Sequence, residues 1–204
     1  LFLQATRGYS AMQTGFILLA LALGSFAASG AGAPLSQRLG PVRVLQIGMV
    51  LEVIGIVGLG IIISDTITGW GMAPWLFVYG MGVGFATAQL TGVILSEVPI
   101  AESGQASAVQ STSRQVGAAI GTALIGTTLL IALGSTAGHL EDRGIPTAQA
   151  EQVSNAVANS AGQAIVGLAT EPNGDELVAG ASDGFVTAIK SVSIVAGIFV
   201  FLGL

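Results

Sequence analysis

The stretch 106–134, ASAVQSTSRQVGAAIGTALIGTTLLIALG, decides the fold. It is long enough to cross about 30 Å of hydrocarbon as a helix, yet it carries Arg114 well inside. At helical spacing Ser107, Gln110, Ser111, Arg114, Gly117, Ala118 and Gly121 fall on one polar or small face, with Ala106, Val109, Val116, Ile120 and Leu124 on the other. A helix divided in this way suits lipid on one side and other helices, or a wet cavity, on the other. An arginine at mid-membrane costs about 2.5–3.5 kcal/mol, and less with snorkelling or a partner. Arg114 therefore reads either as a cavity-lining group that attracts anionic groups or as an interhelical anchor.

The rest of the chain agrees. Of its 204 residues 52% are hydrophobic and only 8% charged, against about 25% charged in a soluble domain. So few charges cannot cover a water-facing surface, so lipid is the expected solvent and a multi-pass protein of the cell membrane the expected class. Cysteine is absent, which removes disulfides, thiolate metal sites and a cysteine nucleophile. No serine–histidine–acid grouping or metal-ligand set occurs, and His139 stands alone in a polar segment. Neither an enzyme nor a cofactor-binding protein is expected. The chain starts at Leu1 without a basic leader and stops at Leu204 within an apolar run, as expected for a piece of a longer membrane protein.

Taken in order, Leu1–Thr6 reads as a helix tail and Arg7-Gly8-Tyr9-Ser10 as a turn. A first span is expected over about 11–35, its second half rich in small residues, ended by Pro34, Ser36-Gln37-Arg38 and the breaker Gly40-Pro41. A second span over about 44–64 carries Glu52 near the bilayer midplane, with Gly48 and Gly55 on its face. Asp65 to Gly71 reads as a loop, with Trp70 and Trp75 at the headgroup level. A third span follows over about 74–95, then a polar break from Glu97 to Gly104 and the span that opened the analysis. This makes 1–134 one group of membrane helices. Residues 135–184 hold seven acids against the single base Arg143, which more than accounts for the net charge of −5 and leaves no basic surface for nucleic acid. Weak periodicity at Ala150, Val153, Val157, Ala161 and Ile165 predicts short surface helices there, and Pro172-Asn173-Gly174 a turn. A last, truncated span is expected over 185–204. The arginines Arg38 and Arg43 place their short loop on the cytoplasmic side and the acid-rich segment outside.

Several constellations bear on function. A tight basic loop with Arg38, Gly40 and Arg43 can clamp helix ends across a moving interface, or serve only as a positive-inside loop. Glu52 is either a proton-carrying carboxylate, a weak coupling candidate, or a glutamate held in a helix contact. Gln89, with Thr87 and Thr91, offers neutral hydrogen bonds to a substrate or to another helix. The run Gly80-Met81-Gly82-Val83-Gly84 has the composition of a nucleotide-binding loop but lies in an apolar helix with no preceding strand. Gly80/Gly84 and Gly117/Gly121 instead fit the small-xxx-small rule for close helix packing.

Together these strings resemble the fourteen-helix drug:proton antiporters of the major facilitator superfamily (EmrB/QacA-like). Leu3-Gln4 with Gly8-Tyr9-Ser10-Ala11-Met12-Gln13-Thr14-Gly15 is similar to the family's passage from one helix into the next. PLSQRLGPVRVL, residues 34–45, is similar to the second copy of the superfamily's signature loop, and 98–121 to its penultimate helix. The resemblance implies an all-α, six-helix C-terminal half of a polytopic transporter, exporting hydrophobic or amphipathic compounds such as drugs and antibiotics by proton antiport. Small hydrophobic or cationic substrates, protons, membrane lipids and the missing N-terminal half would be its partners. It also implies that the first, third and fourth spans line the cavity, which makes Gln13, Gln89, Gln110, Ser111 and Arg114 the candidate lining residues, and it sets Glu52 at the outer flank. Gln37 stands where the signature loop usually carries an acid, and Leu19-Ala20 where the family often has Leu-Pro. A metabolite transporter of the same fold, or a non-transporting subunit that binds through the acid-rich segment, is the alternative.

Overall fold

The computed structural model describes residues 2–5, 8–64, 66–96 and 98–204. Leu1, Thr6, Arg7, Asp65 and Glu97, assigned above to a helix tail, a turn, a loop and a polar break, lie outside the described residues. The described elements are helices α1 (Phe2–Ala5), α2 (Ala11–Leu39), α3 (Pro41–Ile62), α4 (Gly69–Leu95), α5 (Ser103–Gly134), α6 (Thr136–Glu141), α7 (Thr147–Asn159), α8 (Ile165–Leu168) and α9 (Gly174–Leu202), with a 3-10 turn at Ile100–Glu102. Five helical segments, corresponding to α2, α3, α4, α5 and α9, are long and apolar enough to cross a membrane. The all-helical, membrane-spanning class expected from composition is the one observed.

Helix ends depart from expectation where proline and glycine served as breakers. α2 runs through Pro34 to Leu39, because a membrane helix tolerates one lost backbone bond more readily than a soluble one. It stops at Gly40, whose φ of +87° is open to glycine, and Pro41 begins α3 at once. Gly69-Trp70-Gly71, expected as loop, is the first turn of α4. Two of its orphan amides are satisfied, one locally and one from far along the chain: Gly71 N–H donates to the Thr68 carbonyl (2.9 Å) and Thr68 Oγ1 (3.3 Å), and Gly69 N–H to the Tyr9 hydroxyl (3.1 Å).

The chain divides into two compact units. In the unit made of Leu18–Gly58, Ala73–Leu124 and Ala196–Leu204, α4 touches α2 and α3 through opposite faces, backbone on backbone. Toward α2, a Cβ at Gly24 would strike the Phe77 carbonyl, one at Gly80 the Leu21 carbonyl, and one at Gly84 would lie 2.5 Å from the Ser25 carbonyl. Ser25 Oγ donates to the Gly80 carbonyl (2.9 Å) in the same seam. Toward α3, a Cβ at Gly48 would lie 2.7 Å from Ala86 N, at Gly55 2.6 Å from Tyr79 Cβ, and at Gly58 inside the Trp75 ring. Ala28, Val44 and Phe85 form the buried cluster of this unit, flanked by Leu35, Leu51 and Met81. The close packing expected at Gly80/Gly84 is thus present. At Gly117 and Gly121 it is absent, since a Cβ there meets nothing within 4 Å.

The other unit comprises the described residues of Leu1–Ile17 with Leu59–Met72 and Ile125–Val195. Here the acid-rich segment is folded around its own apolar core. Leu140, Ala150, Val157, Ile165, Leu177, Ala181 and Phe185 are all almost fully enclosed, so of the periodic positions expected on surface helices Ala150, Val153, Val157 and Ile165 are core positions, while Ala161 is half-buried in a turn. Ser154 Oγ from α7 donates to the last carbonyls of α5, at Leu133 and Gly134 (3.3 Å each). Gly162, at φ +90°, lets the Phe185 ring lie on the backbone, and Arg143 pairs with Asp183 at 2.6 Å. α9 begins at Gly174, well ahead of the apolar run at Phe185. Its 29 residues would reach about 44 Å, more than the roughly 30 Å hydrocarbon layer, so its acidic first turns belong with α6–α8.

Candidate functional site

The membrane helices bring some of the candidate residues together and separate others. Gln110 and Arg114, one turn apart on α5, line a cavity of about 470 Å³ with Ala106, Val109 and Ser113 of α5 and Leu90 and Ile94 of α4. Its wall is almost wholly apolar. Gln110 Nε2 donates to Thr91 Oγ1 (3.0 Å), which ties α5 to α4 and fixes the amide at the rim. Arg114 is exposed, and the ion pair recorded among the described residues, Arg143–Asp183, does not include it. Ala106 and Val109, placed by periodicity on the greasy face, share the cavity with the polar stripe because the contact with α4 falls on the border between the two faces.

Other candidates sit elsewhere. Gln89 is buried about 100° around α4 from Leu90, its amide over Gly32 of α2, where a Cβ would lie 3.2 Å from Nε2. Ser111 is exposed and does not line the cavity. Gln13 belongs to the N-terminal capping of α2: its Oε1 accepts from Ser10 N–H (2.9 Å) while Gln13 N–H donates to Ser10 Oγ (3.2 Å), a reciprocal capping box. Glu52 is half-buried with its stem against Gly82, where a Cβ would lie 2.7 Å from Glu52 Cγ. Arg38 ends α2, Gly40 makes the joint, and Arg43 enters the first turn of α3, where it borders a groove with Leu39, Gln46, Ile47, Val50 and Leu51.

Ser113, Leu90 and Ile94 were not singled out from sequence. Ser113 was within reach, since it lies three residues from Gln110 on the same helix. The α4 residues depend on which face α4 turns to α5, and an apolar run does not reveal that. No group of three or more potential metal ligands occurs among the described residues.

Comparison with known proteins places this geometry in context. Residues 1–122 match a family model described as Major Facilitator Superfamily. The multidrug efflux pump LfrA of Mycolicibacterium smegmatis is 27% identical over 200 residues, covering 97% of this chain and 38% of LfrA. A probable actinorhodin transporter of Streptomyces coelicolor is 32% identical over 123 residues, 59% of this chain and 21% of that protein. The tetracenomycin C resistance and export protein of Streptomyces glaucescens is 32% identical over 130 residues, 61% of this chain and 23% of that protein. The chain thus spans less than two fifths of the length of these relatives. No solved structure matches it significantly.

Proposed function

This chain belongs to the Major Facilitator Superfamily, and we propose that it forms the C-terminal part of a secondary transporter that exports hydrophobic or amphipathic compounds by proton antiport. Membership makes it a multi-pass plasma-membrane transport protein and not an enzyme. The observation that carries the export reading is the cavity between α4 and α5: an apolar chamber with Gln110, Ser113 and Arg114 as its few polar groups. Sites for amphipathic molecules have this balance, apolar walls for affinity and sparse hydrogen-bonding groups for orientation. The relatives named for multidrug efflux and for tetracenomycin C resistance and export agree with it.

In this reading Arg114 and Gln110 face the substrate, while Gln89 and Gln13 act through helix contacts and capping. Arg38, Gly40 and Arg43 form the switch loop on the cytoplasmic side, and 135–184 stand outside. The rest of the transporter supplies the N-terminal half and the coupling acids, and access alternates around a site near the midplane. Glu52, seated on Gly82, stays a structural contact.

The test uses the intact transporter in cells loaded with a fluorescent amphipathic dye, with and without a protonophore. Export that the protonophore abolishes and that Arg114→Ala or Gln110→Ala lowers at equal expression is expected. Export indifferent to the protonophore sinks proton coupling. A wild-type protein that exports no dye sinks the broad-substrate reading.

A further inference from the structure

A second concavity lies at the α2–α3 joint. It holds about 440 Å³ and is lined by Leu39 of α2 and by Arg43, Gln46, Ile47, Val50 and Leu51 of α3. The polar groups sit at one end, Arg43 and Gln46 within one turn. Ile47, Val50 and Leu51 continue the groove along α3. From Arg43 to Leu51 the helix rises about 12 Å, nearly the depth of one hydrocarbon leaflet. Arg43 is exposed and takes no part in the ion pair recorded among the described residues. Between Leu35 and Leu51 the chain has two arginines and no acid.

The geometry points to a binding site for one anionic phospholipid, its headgroup phosphate on Arg43 with Gln46 beside it and an acyl chain along Ile47, Val50 and Leu51. The charge complementarity and the polar-to-apolar order of the groove match such a lipid in both its parts. A soluble anion has no use for the apolar floor, and a neutral hydrocarbon none for the arginine. Lys and Arg at a cytoplasmic membrane face attract anionic lipid with just this polarity. The site shares Arg43 and the cytoplasmic side of its loop with the proposed switch but none of the residues of the export cavity, and retained lipid is read without any export.

The experiment takes the intact protein from bilayers of equal phosphatidylglycerol and phosphatidylcholine into mild detergent and weighs the retained lipid by native mass spectrometry. Wild type is expected to keep phosphatidylglycerol in preference to phosphatidylcholine. Arg43→Gln should lower that adduct about fivefold, the effect of removing one basic group near an anionic surface, while Arg43→Lys retains most of it. Val50→Trp, which fills the groove and leaves the charge, should lower it as well. Adduct levels unchanged in both Arg43→Gln and Val50→Trp overturn the site, as does equal retention of the two lipids by wild type. Ile61→Trp, an exposed position beyond the groove, should change nothing.

Discussion

Replacing Gly82 by alanine probes the α3–α4 seam with a single methyl. That methyl would lie 2.5 Å from Glu52 N and 2.6 Å from the Gly48 carbonyl. Ordinary contact is about 3.5 Å, so the two helices must part by about 1 Å along a seam that holds backbone rather than compressible side chains. Overpacking of this kind costs about 1–3 kcal/mol. The same substitution at Gly92, where a Cβ meets nothing within 4 Å, adds no clash and gains up to about 1 kcal/mol of helix propensity. Gly48 faces Gly82 across the seam, its own Cβ lying 2.9 Å from the Gly82 carbonyl, so the double variant Gly48→Ala/Gly82→Ala should lose less than the two singles combined. Unfolding in mixed micelles, followed by far-UV circular dichroism against denaturing detergent, reads the four variants against wild type. Equal stability of Gly82→Ala and Gly92→Ala, or strict additivity in the double variant, would refute close backbone contact as the basis of the seam.

Phe185→Ala should loosen the acid-rich fold by about 3–5 kcal/mol, seen as faster proteolysis and hydrogen exchange between α6 and α8; unchanged protection would show that the ring does not hold that core. Arg143→Ala should cost no more than about 1 kcal/mol, falling with salt, because both members of the pair with Asp183 are about 40% exposed. A loss of several kcal/mol in a thermal melt would contradict that assignment. Ser10→Ala and Gln13→Ala should each weaken the start of α2 by about 1 kcal/mol while leaving dye export per folded molecule intact. A drop in export confined to Gln13→Ala would return that residue to the cavity.

The span-forming helices could be read from the apolar runs, because lipid demands length and hydrophobicity and little else. Gly80 and Gly84 were legible as a close-packing pair for the same reason: four-residue spacing of small residues has few other uses in a span. Gly117 and Gly121 carry the same spacing and meet nothing, since spacing cannot say whether a partner is present. Pro34 and Gly69-Trp70-Gly71 misled because breaker rules come from water, where a freed carbonyl competes with solvent. The core of 135–184 was hidden by its acids. Its buried residues are mostly small or β-branched and recur in short helices, so the charge outweighs the pattern. At the cavity, Gln110 and Arg114 were visible as polar groups in an apolar helix, while Gln89 was displaced from it by a single position on α4. One residue of helical rotation, about 100°, separates the buried Gln89 from the cavity-lining Leu90.

The joint at Gly40 bears on how the protein is made. α2 and α3 are separated by a single residue, so the chain entropy lost in bringing them together is close to the least a helical hairpin can incur. They can leave the ribosome and enter the bilayer as a pair. Yet their main glycine contacts are each with α4, which is synthesised later and has one on either side. The hairpin must therefore wait as an open V, its small residues facing lipid, until α4 slides between the arms. Biogenesis of this unit is then a two-step event, and a ribosome stall between Ile62 and Gly69 should leave a nascent hairpin whose Gly24 and Gly48 are still reachable by a cysteine-scanning label from within the bilayer.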